Sequence, residues 1–187
     1  MKRVVLFMML LTSASLLSAT TNQEIKQEAK GALMKMGSAL KANMKKNMKA
    51  GGPVQAASFC LEEASKIAKK VNASYPKGVN VKRVSLKYRN PADKPTSDEA
   101  KVLIQMQKDV DAGKTIPKMI VKEIGKNSYK VYKPIFINKG ICLTCHGDAQ
   151  TRDHEAYKLI HAKYPNDRAI NYKKGDFRGA FVITIVK

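Results

Sequence analysis

Apolar residues recur every three or four positions in residues 24–49, and lysines occupy many of the positions between them. This spacing predicts an amphipathic helix with a basic outer face. Gly51, Gly52 and Pro53 end the helix, because glycine disfavours helical backbone and proline favours the first position of a following helix. That second helix is predicted to continue to about residue 72, with Cys60 on its apolar stripe.

After residue 72 the period changes from helical to alternating. Four segments have the alternating or β-branched pattern of strands: 79–86, 119–124, 129–137 and 179–186. Helices are predicted between them, one capped by Thr96 or Ser97 and a short one near residues 155–162. The pattern therefore predicts an α+β fold. Two N-terminal helices, about residues 24–72, pack beside an antiparallel sheet of about five strands within a mixed region, about residues 79–187.

The first twenty residues have a pattern of their own. Lys2 and Arg3 precede an apolar run over residues 4–11, and small and polar residues follow through Ala19. A basic N-terminal region, a short apolar region and small residues at the cleavage site are typical of a secretory signal peptide. The apolar run is too short for a membrane anchor. We therefore expect a cleaved signal peptide, residues 1–19, and a periplasmic mature domain, residues 20–187.

The chain is strongly basic, with 35 Lys and Arg against 15 Asp and Glu, a formal charge of +20. Removal of the predicted signal peptide takes away Lys2 and Arg3 and lowers this charge to +18. Nucleic-acid binding does not fit the export signal, and the sequence has no binding motif for it. The charge instead suits acidic protein partners or contact with an anionic membrane surface. The positive charge is explained equally well by a need for solubility and by a helix whose exposed face is covered with lysines.

Cys142, Cys145 and His146 have the spacing C-x-x-C-H, which is the pattern of covalent haem attachment. Two thiols at this spacing can each add to one vinyl group of the porphyrin, and the adjacent imidazole can then bind the iron. A thioredoxin-type redox pair would require a βαβ unit, which the pattern lacks. A zinc site would require a second ligand pair, and His154 and His161 do not form a convincing one. The motif therefore predicts one covalent haem c, with His146 as an axial ligand.

The second axial ligand is less clear from the residues alone. The 41 residues after His146 contain no methionine, so the arrangement of the common small cytochromes does not apply. The candidates are Cys60, His154, His161 and upstream methionines such as Met106 and Met119. Cys60 stands out as the odd cysteine of an exported protein. It is equally a small hydrophobe suited to a buried helix stripe.

Six segments of the chain carry a resemblance to a known family: Arg83-Val84-Ser85, residues 88–91 with Pro95 and Glu99, 132–135, 142–147, 164–169 and 172–180. In these the sequence is similar to single-domain c-type haem proteins with a PAS-like fold, a family long described as a domain of unknown function. Its members occur as free exported proteins and as extracytoplasmic haem sensor modules of histidine kinases. The resemblance implies a PAS-like sheet and a covalently bound haem.

The resemblance also implies a role for Cys60, because the family has a cysteine in the early helix that binds the iron opposite the motif histidine. Ile170 departs from the family, which often has glycine there, and this change affects a turn rather than the haem site. On charge and position, Arg89 or Tyr88 is expected near a haem propionate. An ordinary surface cation is the alternative for Arg89.

Two functions from different classes fit these observations. In the first, the protein is a redox or gas-ligand sensor, because a thiolate ligand lowers the potential of the iron and can be displaced on reduction or by CO or NO. In the second, it is a periplasmic electron carrier that its charge steers toward acidic redox partners. We expect no enzymatic activity, because the sequence shows no nucleophile–base pair and a six-coordinate iron has no open position for a substrate.

Overall fold

The computed structural model describes the backbone of residues 10–187 and the side chains of residues 22–187. The predicted signal peptide falls in part on residues 1–9, which lie outside the described residues. Of the helices within the described range, none is long and apolar enough to cross a membrane.

The N-terminal half is helical and folds back on itself. Helix α1 (Leu10–Glu62) is interrupted at Gly51 and Gly52, and α2 (Ala64–Ala73) follows after Glu63. We call residues 10–50 the first arm of α1 and residues 53–62 its second arm. Gly52 has a φ of 66°, a left-handed conformation that glycine adopts without strain, so the predicted break is present. The chain then reverses, and the Tyr75 hydroxyl donates a hydrogen bond of 2.6 Å to the Ala32 carbonyl oxygen.

The rest of the chain forms one antiparallel sheet with three further helices. The strands are β1 (Val79–Val84), β2 (Ile120–Gly125), β3 (Ser128–Phe136) and β4 (Phe177–Val186), and the helices are α3 (Ser97–Asp111), α4 (Gly140–His146) and α5 (His154–Lys163). The strand order is β1-β4-β3-β2. The predicted α+β class and the packing of N-terminal helices on an antiparallel sheet are confirmed. In the part of the chain that the structure describes, the sheet has four strands rather than about five.

The two faces of the sheet are covered by different helices. Ile183 and Ile185 of β4 pack with Ile25 and Met36 of the first arm. Val182, on the opposite face of the same strand, packs beneath α3. Successive side chains of a strand point to opposite faces, and both faces of β4 are covered. Apolar residues therefore occupy nearly every position of this strand. Gly179 and Phe181, at the other end of β4, instead border a cavity between α1 and the sheet.

Helix α3 begins at the cap that the sequence predicts. The Thr96 hydroxyl accepts from the Glu99 backbone N–H, and the Glu99 carboxylate accepts from the Thr96 N–H at 3.0 Å. Glu99 is fully buried, and its two oxygens lie 2.9 Å from Lys82 Nζ and 2.8 Å from Lys130 Nζ. Burial alone would raise the pKa of this carboxyl, but the two ammonium groups and the cap bond lower it to about 2. This ion-paired carboxylate ties α3 to strands β1 and β3.

Candidate functional site

A cavity of about 700 Å³ lies between the two arms of α1 and the end of the sheet. Its volume is within the range of about 300–1,000 Å³ that is usual for cofactor and small-molecule sites. Five of the residues singled out by the sequence line this one cavity: Cys60, Arg89, Cys142, Cys145 and His146. The fold therefore brings the C-x-x-C-H motif and the lone cysteine, 82 or more positions apart, to a common space.

Helix α4 carries the motif and is held at its end by a distant loop. The Tyr172 N–H donates to the His146 carbonyl oxygen at 3.0 Å, and the Asn171 N–H donates to the Gly147 carbonyl oxygen at 2.9 Å. Asn171 has a φ of 58°, a left-handed conformation that asparagine tolerates better than most residues. The loop before β4 therefore fixes the backbone at the end of the motif.

Gly147 allows this close packing because it has no side chain. A Cβ at this position would lie 2.8 Å from the Leu143 carbonyl oxygen and would also clash with Thr151 Oγ1. The Gly147 carbonyl additionally accepts from Arg152 Nη1 at 3.2 Å. Glycine is therefore required after the motif because a side chain would clash. Its backbone conformation does not require glycine, since φ is negative.

His146 is oriented by a single short hydrogen bond. Its Nδ1 lies 2.8 Å from the Ala169 carbonyl oxygen, an acceptor only, so Nδ1 carries the proton and Nε2 keeps its lone pair. Loss of hydration, together with the Arg178 and Arg89 guanidinium groups, holds the pKa of the imidazole well below its usual value. The Tyr172 ring packs edge-on against it at 6.2 Å between centroids. This is the arrangement of a neutral imidazole prepared to bind a metal through Nε2.

The Cys60 thiol lines the cavity from the second arm of α1 and is solvent-accessible. Loss of hydration raises the pKa of the thiol, and the guanidinium groups of Arg83 and Arg89 partly oppose the rise. The pKa of the Cys145 thiol is raised for the same main reason. Without a bound metal, these thiols are therefore protonated at neutral pH.

The other candidates for an axial ligand lie away from the cavity. His154 has 91% of its side chain exposed and contacts Glu155, and His161 stacks on Tyr157. Met106 belongs to α3 and is buried against the opposite face of the sheet, and Met119 packs against the core beneath α1. Instead, the cavity is lined by methionines of the first arm that the sequence did not single out: Met34, Met44 and Met48.

The two residues expected near a propionate differ in position. Arg89 lines the cavity, but Tyr88 does not, and the Arg168 guanidinium lies over its ring at 5.6 Å. Arg89 is engaged by protein groups, with Nε donating to Asp167 Oδ2 at 3.0 Å and Nη2 donating to the Cys145 carbonyl oxygen at 2.6 Å.

Two further arginines line the cavity and were missed by the sequence reasoning. Arg178 donates from Nη1 to Ser85 Oγ at 2.6 Å and to the Lys87 carbonyl oxygen at 3.2 Å. Arg83 is half-exposed, and its nearest acid is Asp93 at 3.8 Å. Both stand in segments that carried the family resemblance, which was the one signal available for them. Of the three arginines, Arg83 has the most donors left for an anionic ligand.

Comparisons with known proteins agree with this architecture. No curated protein matches the chain. A solved structure, that of the cyanobacterial heme-protein Tll0287, matches with a TM-score of 0.63 and 25% sequence identity, covering 88% of this chain and 96% of that one. The model of the Tll0287-like family matches residues 18–186. The chain belongs to the Tll0287-like family.

Proposed function

We propose that this protein is an exported haem protein that holds one haem c in the cavity and acts as a redox or gas-ligand sensor. The observation that carries the proposal is the convergence of Cys142, Cys145, Cys60 and the oriented His146 imidazole on one cavity. Tll0287, whose structure matches this chain, is a heme-protein, which supports the same cofactor. The domain is then a variant of the PAS-like haem fold with a four-stranded sheet.

The residues present fit a covalently bound porphyrin. Cys142 and Cys145 would each add S–H across a vinyl group, with sulfur bonding one carbon and hydrogen the other, so no external oxidant or reductant is needed. His146 would bind the iron through its free Nε2. Arg83, half-exposed and only loosely paired with Asp93, is the lining cation best suited to the haem carboxylates. Apolar lining side chains, such as Phe136, surround the rest of the space.

Cys60 is the proposed second axial ligand. Haem c supplies an iron that cycles between Fe(III) and Fe(II) and that binds small gases when an axial position is open. The Cys60 sulfur would favour Fe(III) as a thiolate, since an anionic ligand stabilises the higher charge. Cys60 stands on the second arm, which is bounded by Gly52 and by the break at Glu63. A change at this sulfur would therefore act on the second arm, which packs against α5 through Ala57.

A second candidate function, electron transfer, is favoured by the charge of the first arm. Between Ala29 and Leu61 the chain has six lysines and no acidic residue. Within the described residues none of these six lysines is in an ion pair. Lys41 and Met34 also line the cavity, so this basic surface adjoins the proposed haem. An electron carrier would present it to an acidic redox partner.

An anionic membrane is the less favoured contact for this surface. The apolar residues of the first arm are used elsewhere, since Ile25, Ala29 and Met36 are buried in the core and Met44 and Met48 line the cavity. Few apolar side chains remain to enter a bilayer beside the lysines. A periplasmic location and the lack of enzymatic activity belong to the same proposal.

The experiment is haem staining of the exported protein. Wild type is expected to keep peroxidase-active haem through denaturing electrophoresis, and Cys142→Ser, Cys145→Ser should lose it. Cys60→Ser is the matched control, because it removes the third thiol and should retain the stain. An unstained wild type, or staining that survives in the double variant, would reject covalent attachment at this motif.

A further inference from the structure

The guanidinium group of Arg89 lies beside the imidazole of His146. Its Nη2 is 3.5 Å from His146 Nδ1 and also 3.5 Å from the Ala169 carbonyl oxygen. The side chain is only 15% exposed. The guanidinium is therefore fixed on the side of the imidazole away from Nε2.

Arg89 and His146 share one acceptor. A guanidinium has donors only, and Nδ1 carries a proton, so the two groups do not bond each other. Both point donors at the Ala169 carbonyl oxygen, with the imidazole at 2.8 Å and Arg89 at 3.5 Å. A second hydrogen-bond donor on this oxygen weakens the hydrogen bond from Nδ1–H. The weaker hydrogen bond in turn makes Nε2 a poorer electron donor toward a metal.

Asp167 contacts both Arg89 and the backbone of Ala169. Its carboxylate is fully buried and accepts from Arg89 Nε at 3.0 Å through Oδ2. Its Oδ1 accepts from the Ala169 N–H at 2.8 Å, so one carboxylate positions both the cation and the residue that supplies the shared carbonyl. The negative charge of Asp167 also offsets part of the field of Arg89 at the site.

We propose that Arg89 is a positioning residue that raises the reduction potential of an iron bound to His146. A fixed cation disfavours the more highly charged Fe(III), and competition for the Ala169 carbonyl reduces the donor strength of the imidazole. Both effects favour Fe(II), so they oppose the proposed effect of Cys60. This inference rests on the proposed function, because it requires haem iron on His146.

Midpoint potentials of the full-length holoprotein test the inference. Arg89→Gln is expected to lower the midpoint by at least a tenfold change in the one-electron equilibrium constant, which is 59 mV. Asp167→Asn is expected to raise it, because the offsetting charge is removed. Arg168→Gln is the matched control, since Arg168 is a neighbouring exposed arginine and its loss makes the same change in net charge.

The midpoint of Arg89→Lys distinguishes a purely structural role of Arg89, a clamp that holds its neighbours in place, from a role in setting the reduction potential. Arg89→Lys keeps the charge and should bring the midpoint back toward wild type, whereas a clamp would need the guanidinium and would not be rescued. If Arg89→Gln does not fold, the direction of the shift in Asp167→Asn still decides the sign. An unchanged midpoint in Arg89→Gln, or a shift no larger than in Arg168→Gln, would overturn the inference. Haem staining of each variant separates this failure from failure of the proposed haem attachment.

Discussion

Nδ1 of His146 and the carbonyl oxygen of Ala169 lie 2.8 Å apart, although the residues are 23 positions apart in the chain. The bond joins the end of helix α4 to the loop that leads into β4. It fixes both the tautomer and the orientation of the imidazole. The orientation of His146 therefore depends on the loop at Ala169 as much as on the C-x-x-C-H motif.

The packing at Gly147 gives a first prediction. Gly147→Ala should place a methyl group against the Leu143 carbonyl and Thr151, displace the end of α4 and cost about 1–3 kcal/mol of unfolding free energy. Gly140→Ala, in the same helix, has open space at its Cβ and should change stability by less than about 0.5 kcal/mol. Urea unfolding of both variants measures the difference. Equal stabilities would show that the loop adapts to a side chain at Gly147.

Cys60→Ala separates the two proposed functions. Loss of a thiolate ligand should convert the ferric spectrum from low-spin thiolate to a high-spin or differently ligated form. It should also raise the midpoint by at least about 60 mV and open a site for CO. Haem attached at Cys142 and Cys145 should be retained. Optical and EPR spectra with a potentiometric titration measure these changes.

Ser58→Ala is the control for that variant, because Ser58 is on the same arm and does not line the cavity. An unchanged ferric spectrum in Cys60→Ala would reject the thiolate. It would then direct attention to Met44 and Met48, which do line the cavity. A His/Met pair would favour the electron carrier, since such ligation suits electron transfer without ligand exchange.

The buried carboxylate of Glu99 predicts how stability falls in acid. The pKa of Glu99 is lowered from 4.5 to about 2 in the folded protein, so its contribution is complete above pH 4.5 and is lost as the pH falls toward 2. The contribution is about 3 kcal/mol. Glu99→Gln should remove this part of the pH dependence and should also lower stability at pH 7, because Lys82 and Lys130 lose their partner.

Asp98→Asn is the control for Glu99→Gln. Asp98 precedes Glu99 on the same helix, but its side chain is 83% exposed and pairs only with Lys101. Its loss should cost less than about 1 kcal/mol. Unfolding free energies of the three proteins between pH 2 and 7 provide the test. The same pH slope in wild type and Glu99→Gln would contradict the assigned role.

Charge reversal on the first arm tests the proposed partner surface. Lys41→Glu, Lys45→Glu, Lys46→Glu should slow reduction by photoreduced flavodoxin, an acidic protein, by about tenfold or more at low ionic strength. The effect should shrink as salt is added, because screening shortens the range of the field. Stopped-flow rates at several salt concentrations measure both.

The control makes the same change in net charge at a distant edge of the sheet. Lys118, Lys122 and Lys126 lie on or beside β2, are exposed and do not line the cavity. Their reversal should leave the rate within about twofold of wild type. Equal slowing in both triple variants would show that only net charge matters. Loss of binding to phosphatidylglycerol vesicles at an unchanged rate would show that the first arm contacts a membrane instead.

Much of the secondary structure could be predicted because its signals are local. The break at Gly51 and Gly52, the Thr96 cap and the turn before Ser128 each depend on a few adjacent residues. All four strands lie within two residues of the segments that the alternation indicated. The alternation indicated four segments, whereas the expected sheet of about five strands exceeds the four strands found in the described residues.

The sequence by itself determined the C-x-x-C-H motif, the basic charge and the class of fold, because spacing, composition and period are properties of neighbouring residues. Only the tertiary structure decided which distant groups meet the motif: the Ala169 carbonyl at His146, Arg89 with Asp167, and Arg83 and Arg178 in the cavity wall. It also placed Tyr88, His154 and His161 outside that cavity. The meeting of Arg83 and Arg178 in that wall follows from the pairing of β1 with β4. Strand pairing over such separations is set by the packing of the whole core, which no local pattern encodes.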